Sequence, residues 1–346
     1  MLMVYSVEQT AQWDAAVRSM ASYDVYYLSG YVKAFQIHGD GEPLLFYYEG
    51  DGLRGINVVM KRDIAKAPQF AGKLEEGRWF DLATPYGYGG WLLEGNGDST
   101  ALYAAYEAWC NEHAIVSEFV RFHPVLKNHI FAQEAYEVIA LGNTIAMDLT
   151  SNEIIWTNII SKNRNMIRKA QKNNIRICHG SNKELYQVFR EIYNATMDKD
   201  HAADYYYFAP DFYESVRCDL PENAEIFYAQ MEDGTIIAAS IMLSANGYMN
   251  YHLSGSRRAY QHLAPTNLLL YEAALWGCAN GCRSLHLGGG VGSGEDSLYK
   301  FKRAFYREEP LRYHIGKKIF SQEKYQELVE MRTDLPESGF FPRYRA

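Results

Sequence analysis

Hydrophobic and polar residues alternate along the chain with two periods, and the period changes at regular intervals. In the first half, helical spacing covers Ser6–Met20 and Asp98–His113. Between these helices, 43-PLLFYYEGDGLRGINVVMKRD-63 has the pattern of a β-hairpin, because two β-rich runs flank the turn sequence EGDG. Strand-like runs at 78–83 and 115–125 complete this half. The pattern predicts a mixed unit of helices and antiparallel strands.

The second half of the chain repeats this order of elements without repeating the residues. The predicted elements are a strand at 144–150, a helix at 151–173 broken near Ser161, a helix at 181–196, a three-stranded meander at 225–256, a helix at 265–279 and a strand at 283–290. We therefore predict an α/β (α+β) protein with two domains, residues 1–145 and 146–346. Each is expected to hold a mostly antiparallel mixed sheet flanked by helices.

The length agrees with two domains, since 346 residues exceed what one hydrophobic core usually holds. The net charge of −8 argues against broad nonspecific binding of nucleic acid, although a local basic groove is compatible with it. The chain has 28 tyrosines, whose flat apolar rings and polar tips suit clefts that bind polar ligands. Ordinary half-buried packing is the alternative for most of them.

Neither the cysteines nor the termini suggest a metal, a secretion signal or a membrane span. The five cysteines show no CxxC pair, so we expect free thiols in a reducing compartment and no metal. The N-terminus lacks a cationic region and a cleavage site, and no long apolar run occurs. We expect a cytoplasmic protein, with at most peripheral contact to a membrane-linked precursor.

The stretch 288-GGGVGSG-294 follows a predicted strand and could cradle a phosphate through backbone N–H groups. It lacks the GK[ST] of a P-loop, and Ser293 stands where GxGxxG needs its third glycine. We therefore interpret it as a flexible connection between a strand and a helix.

The helix that follows this connection carries a candidate catalytic lysine. Leu298, Phe301 and Phe305 are spaced three and four apart and predict the buried stripe of the helix. Lys302 would then point away from the core on a fixed support, where an ammonium group could stabilise an oxyanion or bind a phosphate. An ordinary solvated lysine is the alternative.

A second basic segment, 161-SKNRNMIRKAQKNN-174, places Arg164, Arg168 and Lys172 on one helix face at i, i+4 and i+8. This face could bind phosphate groups, including those of RNA, and is a candidate donor-binding surface. A solvated face is the alternative. The segment itself contains no aromatic residue, which weakens the case for nucleic acid.

The loop 84-TPYGYGGW-91 combines glycines with aromatic residues and could line a ligand cleft or plug the core. We take Tyr86 and Tyr88 from this loop, with Arg121 from the strand at 115–125, as candidate substrate-binding residues. No GxSxG or HExxH motif occurs, and spacing alone assembles no catalytic triad.

Six segments together resemble the Fem family, the non-ribosomal peptidyltransferases of cell-wall synthesis, and the wider GNAT-like acyltransferases that share its fold. They are 31-YVKAFQIHG-39, 159-IISKNRNMIRKAQKNNIRI-177, 248-YMNYHLSGS-256, 265-PTNLLLYEAALWGCANGC-282, 285-LHLGGG-290 and 299-YKFKRAF-305. Their order and spacing, more than any one motif, carry the resemblance. It implies two GNAT-like domains and the transfer of an acyl or aminoacyl group to an amine.

The resemblance also implies roles for particular residues. The family's catalytic lysine falls on Lys302, its phosphate-binding lysine on Lys33 and its cleft tyrosine on Tyr251, while Asn267 lies in a matching helix and joins the substrate-binding set. The family tends to have an arginine in the loop that is 204-DYYYFAPDFY-213 here, and this loop has none. The departure weakens the expectation of a UDP-linked peptide substrate, and Tyr207 is expected to shape a different acceptor pocket.

The donor and the acceptor stay open at the level of sequence. CoA-dependent GNAT enzymes usually carry an R/Q-x-x-G-x-G/A loop, and 258-RAYQHLAPTN-267 has no glycine, which favours aminoacyl-tRNA over acyl-CoA. The first hypothesis is an aminoacyltransferase that forms an amide on a cell-envelope precursor, with no tightly bound cofactor. The alternatives are a CoA-dependent N-acyltransferase acting on a sugar nucleotide or small amine, and a non-catalytic module that binds glycan or peptide.

Overall fold

The computed structural model describes residues 1–333, 335–336 and 339–346, which form ten α-helices and thirteen β-strands in this part of the chain. The strands are β1 Leu2–Ser6, β2 Glu42–Gly50, β3 Leu53–Asp63, β4 Phe80–Ala83, β5 Leu92–Gly95, β6 Ile115–Arg121, β7 Glu137–Asp148, β8 Arg176–Gly180, β9 Ala224–Gln230, β10 Ile236–Ala245, β11 Tyr248–Ser256, β12 Ser284–Gly288 and β13 Leu311–Ile319. The helices are α1 Thr10–Arg18, α2 Ser29–His38, α3 Thr100–Glu112, α4 Asn152–Asn158, α5 Ser161–Lys172, α6 Lys183–Lys199, α7 Pro210–Asp219, α8 Pro265–Ala279, α9 Ser297–Arg303 and α10 Gln322–Glu330.

The chain divides into two compact units. Unit 1 comprises Met1–Leu141 and Tyr313–Ala346, and unit 2 comprises Gly142–Arg312. The units differ from the predicted domains 1–145 and 146–346 mainly in the C-terminal segment, which returns to unit 1. It does so because β13 pairs antiparallel with β6, and because α10 and the terminal residues complete a hydrophobic cluster of unit 1.

Unit 1 holds a mixed sheet in the order β1-β2-β3-β4-β6-β13, with β5 paired to β3. Every pair in it is antiparallel except β4 with β6. The hairpin of β2 and β3 is confirmed, and Asp51 and Gly52 both take positive φ at its turn. The helix α3 packs Leu102 and Tyr106 into the core formed over this sheet.

The C-terminus is fixed to unit 1 by a buried carboxylate. Asp81 on β4 is fully buried and accepts bonds from Arg62 at 2.7 Å and from Arg345 at 2.5 Å, while the Tyr344 hydroxyl donates to it at 3.0 Å. A buried charge is tolerated only when such partners satisfy it. The last residues of the chain are therefore part of the core of unit 1, which no hydrophobic pattern in the sequence indicated.

The strands of unit 2 follow one another in the sheet order β7-β12-β11-β10-β9-β8. Again one pair, β11 with β12, is parallel, and the other pairs are antiparallel. The α/β (α+β) class, with mostly antiparallel mixed sheet flanked by helices in each unit, is thereby confirmed. The predicted meander of β9, β10 and β11 and the strand β12 are confirmed as well.

Local sequence explains where the helices of unit 2 begin. The Ser151 hydroxyl accepts from Ile154 N at 3.2 Å and caps α4, and extended backbone at Ile159 and Ile160 separates α4 from α5 near the predicted break. The helix α6 is capped by Asn182, which accepts from Leu185 N at 2.8 Å, so it begins two residues after the predicted start at 181.

None of the helices in the described part of the chain combines the length and the apolarity that crossing a membrane requires.

Candidate functional site

The candidate site of unit 2 lies where its two parallel strands stop pairing. The ladder between β11 and β12 runs from Tyr248 opposite Ser284 to Asn250 opposite His286. Beyond Asn250, β11 continues to Ser256 paired to β10 alone. Among the residues that the structure describes, this edge of β11 has no strand partner beyond Asn250, and the strands open between their carboxyl ends.

Both strands are irregular at this opening. Ile241 of β10 lies opposite Leu253 while the next residue lies opposite Tyr251, so His252 is an extra residue that bulges from β11. On β12, His286 lies opposite Ala146 and Gly288 opposite Ile145, so Leu287 is extra there. Bulges bend a strand and end its pairing, and they are common next to functional sites.

Lys302 is held at the end of β12. It lies on α9, is 9% exposed, and its Nζ donates to the Gly289 carbonyl oxygen at 2.7 Å. Burial lowers the pKa of Lys302 to about 8, while the nearby Asp296 carboxylate opposes this shift. The ammonium form still predominates at neutral pH, and it is more easily deprotonated than an ordinary lysine.

The orientation of α9 differs from the prediction. Leu298 is 39% exposed, and the buried positions of the helix are Tyr299 and Lys302, with Phe305 just beyond it. Phe301 is partly buried and packs edge-to-face on Phe305 at 5.4 Å between ring centroids. A helix of two turns can be rotated by the loop that leads into it, so spacing alone did not identify its buried face. Lys302 therefore points into the unit and not away from the core.

The glycine connection before α9 is a compact turn and not the flexible link that the sequence predicted. The Asp296 carboxylate accepts from Val291 N at 3.1 Å and from Tyr299 N at 2.8 Å, which closes the loop and caps the helix. A Cβ added at Gly290 would lie 2.2 Å from the Gly294 carbonyl oxygen. Because Asp296 occupies these N–H groups, they are not available to a phosphate.

A chain of amide side chains fixes the far end of α9. Asn267, in the first turn of α8, donates to Asn163 Oδ1 at 2.7 Å, and Asn163 donates to the Ala304 carbonyl at 3.3 Å. Asn163 is 3% exposed, so these bonds are shielded from water. Asn267 thus supports the helix that carries Lys302, and its side-chain amide is engaged within the protein.

The basic face of α5 gains an aromatic partner from the preceding helix. The guanidinium carbons of Arg164 and Arg168 lie 5.8 and 5.2 Å from the ring centroid of Trp156 on α4. Arg168 and Lys172 are exposed. The basic segment contains no aromatic residue, but the fold places Trp156 beside its arginines. This strengthens the face as a candidate for binding phosphate or stacked rings.

Tyr251 and His252 are adjacent residues at the opening of β11. Burial raises the pKa of Tyr251 to about 12, against a smaller effect of its hydrogen bond with Ser254, so the phenol is neutral at neutral pH. Burial lowers the pKa of His252 to about 3, so its imidazole is also neutral and a poor proton acceptor. This environment supplies polar contacts but not a strong side-chain base.

Tyr207 lies in the segment between α6 and α7. Its hydroxyl donates to Asp198 Oδ1 at 2.8 Å, and this bond raises the pKa of Tyr207. The neighbouring Tyr205 and Tyr206 are 40% and 37% exposed. The segment thus presents aromatic rings at the surface of unit 2 and contains no cation.

The predicted residues of unit 1 form an aromatic group. Tyr88 packs on Tyr313 at 5.8 Å between ring centroids, and the pKa of Tyr88 is raised far above its usual value, chiefly by burial, while Arg121 partly opposes the shift. Tyr86 stacks on Phe35 at 5.5 Å. Lys33 is exposed on α2, two residues before Phe35.

A buried pair formed by His123 and Asp24 packs against this aromatic group. His123 Nε2 lies 2.8 Å from Asp24 Oδ2, and both side chains are fully buried. The Leu126 N–H donates to His123 Nδ1 at 3.2 Å, so Nε2 is the ring nitrogen that donates to Asp24. Both Tyr26 and Tyr88 pack on the imidazole. The imidazole thus links the buried Asp24 carboxylate to two rings of the aromatic group.

Sequence reasoning missed four residues that build the site of unit 2: Trp156, Asn163, His252 and Tyr299. The sequence YMNYHLSGS shows that His252 is present, but the bulge that displaces it appears only in the strand register. The other three had no local signal, because their roles arise from contacts between separate elements. In the described part of the chain, no cluster of three or more histidine, cysteine, aspartate or glutamate side chains could hold a metal ion.

Comparison with known families identifies the class of unit 2. Residues 161–303 match the acetyltransferase (GNAT) domain family. The match contains the opened parallel pair and all of α9. The predicted class, an acyltransferase, is confirmed by this match at the level of the domain, while no curated protein matches the sequence significantly.

Solved structures extend the likeness to the whole chain. The crystal structure of FemX is 14% identical, with 94% of this chain and 99% of that chain covered and a TM-score of 0.69. L-PGS from Bacillus licheniformis is 13% identical, with coverages of 93% and 96% and a TM-score of 0.57. The C-terminal domain of a candidate lysylphosphatidylglycerol synthetase from Agrobacterium fabrum is 12% identical, with 92% of each chain covered and a TM-score of 0.53. The predicted resemblance to Fem-like GNAT proteins is confirmed at the level of the fold.

Proposed function

We propose that this protein is an amide-forming acyltransferase that moves an aminoacyl group from its ester on tRNA to an amine of a cell-envelope precursor. The observation that carries the proposal is the position of Lys302, a nearly buried ammonium at the end of β12 where the parallel strands open. The GNAT match and the likeness to FemX support the reaction class.

The chemistry requires a group that stabilises negative charge more than it requires a base. The acceptor amine attacks the ester carbonyl, the C–N bond forms, and a tetrahedral oxyanion develops. The intermediate collapses, and the C–O bond to the donor breaks. The amine releases its proton to water, and the donor oxygen takes up a proton from water and leaves as a hydroxyl group. An ammonium fixed in a dry site stabilises the oxyanion, which is worth about 3 kcal/mol for one donor.

Lys302 suits this role for two reasons. Its hydrogen bond to Gly289 and the Asp296-closed turn fix its position before the substrate binds. Its lowered pKa of about 8 shows that water stabilises the ammonium poorly, so a developing oxyanion would gain more from it than in water.

The proposed donor follows from the segment before α8. Residues Arg258–Leu263 form a 3-10 turn in which Ala264 N donates to the Gln261 carbonyl, and Pro265 at the first turn of α8 has no N–H to offer. Two of the backbone positions that could bind a diphosphate at this helix start are therefore lost. The basic face of α5 with Trp156 would instead bind the tRNA acceptor end through Arg164, Arg168 and Lys172.

A CoA thioester is the second candidate donor, because the open edge of β11 is the kind of slot that could pair with an extended pantetheine amide chain, and because the matched domain family is one of acetyltransferases. In that case the acceptor would be a small amine or a sugar nucleotide. Lys302 would keep the same role, since attack on a thioester forms the same oxyanion.

The test is a donor screen with purified protein, comparing aminoacyl-tRNA and acyl-CoA against a panel of muropeptide and sugar-nucleotide amines. We expect amide product with aminoacyl-tRNA. The slope of log K for donor binding against log salt concentration should become shallower by about one for each of Arg164, Arg168 and Lys172 that is replaced by alanine. Product with acyl-CoA alone would select the second candidate.

Formation of no amide from either donor, together with saturable binding of a wall fragment, would overturn the proposal in favour of a binding module. Tyr207 and Tyr251 of unit 2 are proposed to bind the acceptor at the site of acyl transfer. The predicted substrate-binding role of Lys33, Tyr86, Tyr88 and Arg121 in unit 1 is a separate proposal, whose expected sign is a loss of acceptor affinity in Lys33→Ala at unchanged donor affinity.

A further inference from the structure

A small recess lies in unit 2 at the end of the sheet where β9 and β11 begin and where β10 and α8 end. Its volume is about 120 Å³, which is room for several water molecules. Lys302 lies at the opposite end, because it contacts the residue that follows β12, and β12 runs parallel to β11. The recess is therefore separate from the proposed acyl-transfer site.

The inner end of the recess is apolar. Phe227, Met242 and Met249 line it, and each is at most 2% exposed. Trp276 of α8 also lines it and is partly exposed. The three buried side chains thus close the recess, and Trp276 supplies the aromatic ring that a ligand can reach.

Neighbouring rings hold Trp276 in place. The Phe227 ring meets it edge-to-face at 5.4 Å between centroids. The His179 ring lies 5.8 Å from Trp276 and stacks on Phe227 at 5.1 Å. A ring that is fixed before binding loses little freedom when a ligand arrives. Among aromatic side chains, tryptophan attracts a cation most strongly.

The charged side chains that line the recess are both acidic. They are Glu222 and Glu225, and no lysine or arginine is among the described residues that line it. Glu222 is exposed and forms no ion pair in the described part of the chain. The Glu225 side chain is 30% exposed, and its Oε1 lies 2.6 Å from His179 Nδ1. Its second oxygen has no hydrogen-bond partner among the described residues, so both carboxylates can meet a ligand.

The end of α8 adds negative potential to the recess. Trp276 belongs to the last turn of this 15-residue helix, where the negative end of the helix dipole lies. The last turn contains no basic side chain of its own. The helix end and the two carboxylates therefore favour a cation, and the apolar inner end favours one that carries methyl groups.

We infer that this recess binds a small organic cation with a trimethylammonium head group. The head group packs on the Trp276 ring and lies near the Glu222 and Glu225 carboxylates. A metal ion fits less well, because it needs oxygen ligands where the recess is apolar. A primary ammonium fits less well too, since its N–H groups would be left unpaired against the apolar side chains.

The test is isothermal titration calorimetry of the full chain with choline, at a chloride concentration kept constant with sodium chloride. Two comparison ligands separate the causes of binding. The alcohol 3,3-dimethyl-1-butanol has the shape of choline without its charge, and ethanolamine has the charge without the methyl groups. We expect one saturable site for choline and binding of either comparison ligand that is weaker by about tenfold or more.

Substitutions test the named side chains. Glu225→Gln keeps the shape and removes the charge, and should weaken choline binding by about fivefold or more. Trp276→Leu should weaken it by about tenfold or more, and Trp276→Phe by less, because a ring remains. Glu191→Gln, which removes an exposed glutamate of α6 in the same unit, is the matched control and should change nothing.

Thermal unfolding of each variant guards against a folding artefact. If Trp276→Leu fails to fold, Glu225→Gln and Trp276→Phe carry the test. The assay needs no turnover, so its outcome does not depend on the proposed function.

Four results would overturn the inference. They are the absence of saturable choline binding, binding of either comparison ligand as tightly as choline, an equal loss of affinity in Glu225→Gln and Glu191→Gln, and unchanged affinity in a folded Trp276→Leu.

Discussion

Each unit contains one parallel strand pair in an otherwise antiparallel sheet, and the two pairs end differently. In unit 1, β4 and β6 stay joined beyond the strands, because Thr84 N donates to the Phe119 carbonyl at 3.0 Å and Gly89 N to the Arg121 carbonyl at 2.8 Å. A further bridge joins Gly89 to Phe122. In unit 2, the β11 and β12 ladder ends at Asn250 and His286, and β11 continues without a strand on that side.

Glycine packing shows how the pair in unit 1 is closed. Gly90 has φ +88°, and an added Cβ there would lie 2.9 Å from side-chain atoms of both Phe122 and Val120. In unit 1 a glycine-rich aromatic loop therefore packs against the end of β6, which belongs to the parallel pair. In unit 2 the ladder of the parallel pair ends while β11 continues, so the two units differ at the place where the proposed chemistry occurs.

The largest expected effect concerns the open pair. Lys302→Ala should lower kcat/KM by about 100- to 1,000-fold, because one oxyanion-stabilising donor is lost. Lys300→Ala, on the exposed side of the same helix, is the matched control and should retain activity. Initial rates with a saturating donor measure both, and wild-type turnover in Lys302→Ala would remove this lysine from the mechanism.

The next effect concerns the closed pair. Gly90→Ala should lower the free energy of unfolding by roughly 2–4 kcal/mol, since the new methyl group meets packed side chains at a positive φ. Gly294→Ala in unit 2, with φ −82° and its nearest neighbour at 3.5 Å, should stay within about 0.5 kcal/mol of the wild type. Urea denaturation measures the difference.

The variant Gly90→Ala also tests which unit binds the acyl donor. At a temperature where it remains folded, Gly90→Ala should bind the acyl donor with wild-type affinity, because the donor is proposed to bind unit 2. A parallel loss of donor affinity and stability in this variant would argue that unit 1 also holds the donor.

A smaller effect is expected from pH. The pKa of Lys302 is lowered to about 8, so its ammonium form is lost as the pH rises through about 8 and not through the ordinary 10.5. The contribution of Lys302 to kcat/KM should be constant below this pH and fall by up to about tenfold per pH unit above it. Profiles of the wild type and Lys302→Arg, measured with one acceptor, separate this titration from that of the acceptor amine; identical profiles would contradict it.

The smallest effect concerns the support of α9. Asn267→Ala removes the bond to Asn163, which holds the end of the helix, and should lower kcat by about two- to fivefold at unchanged KM. A rise in KM at unchanged kcat would show instead that Asn267 contacts substrate, as predicted from the sequence. Steady-state kinetics with varied acceptor distinguish the two.

Much of the fold could be predicted, because local sequence specifies local structure. The turn EGDG gave the hairpin of β2 and β3, and the break near Ser161 separated α4 from α5 as expected. The strand β1 and the helices α2 and α10 were missed. The C-terminal segment was predicted to belong to the second domain, 146–346, whereas Tyr313–Ala346 belongs to unit 1. Its place depends on Asp81, whose partners Arg62 and Arg345 are far apart in sequence.

For the site, the sequence by itself determined which residue types are present and in what order: a lysine after a glycine turn, a basic helix and a strand ending in SGS. Only the tertiary structure decided that Lys302 is buried, that Asp296 fills the glycine loop, and that Trp156 lies beside the arginines. The physical reason is that burial, desolvation and strand separation depend on contacts between distant segments. A local pattern specifies the helix or the strand, and the neighbours supplied by folding set its chemistry.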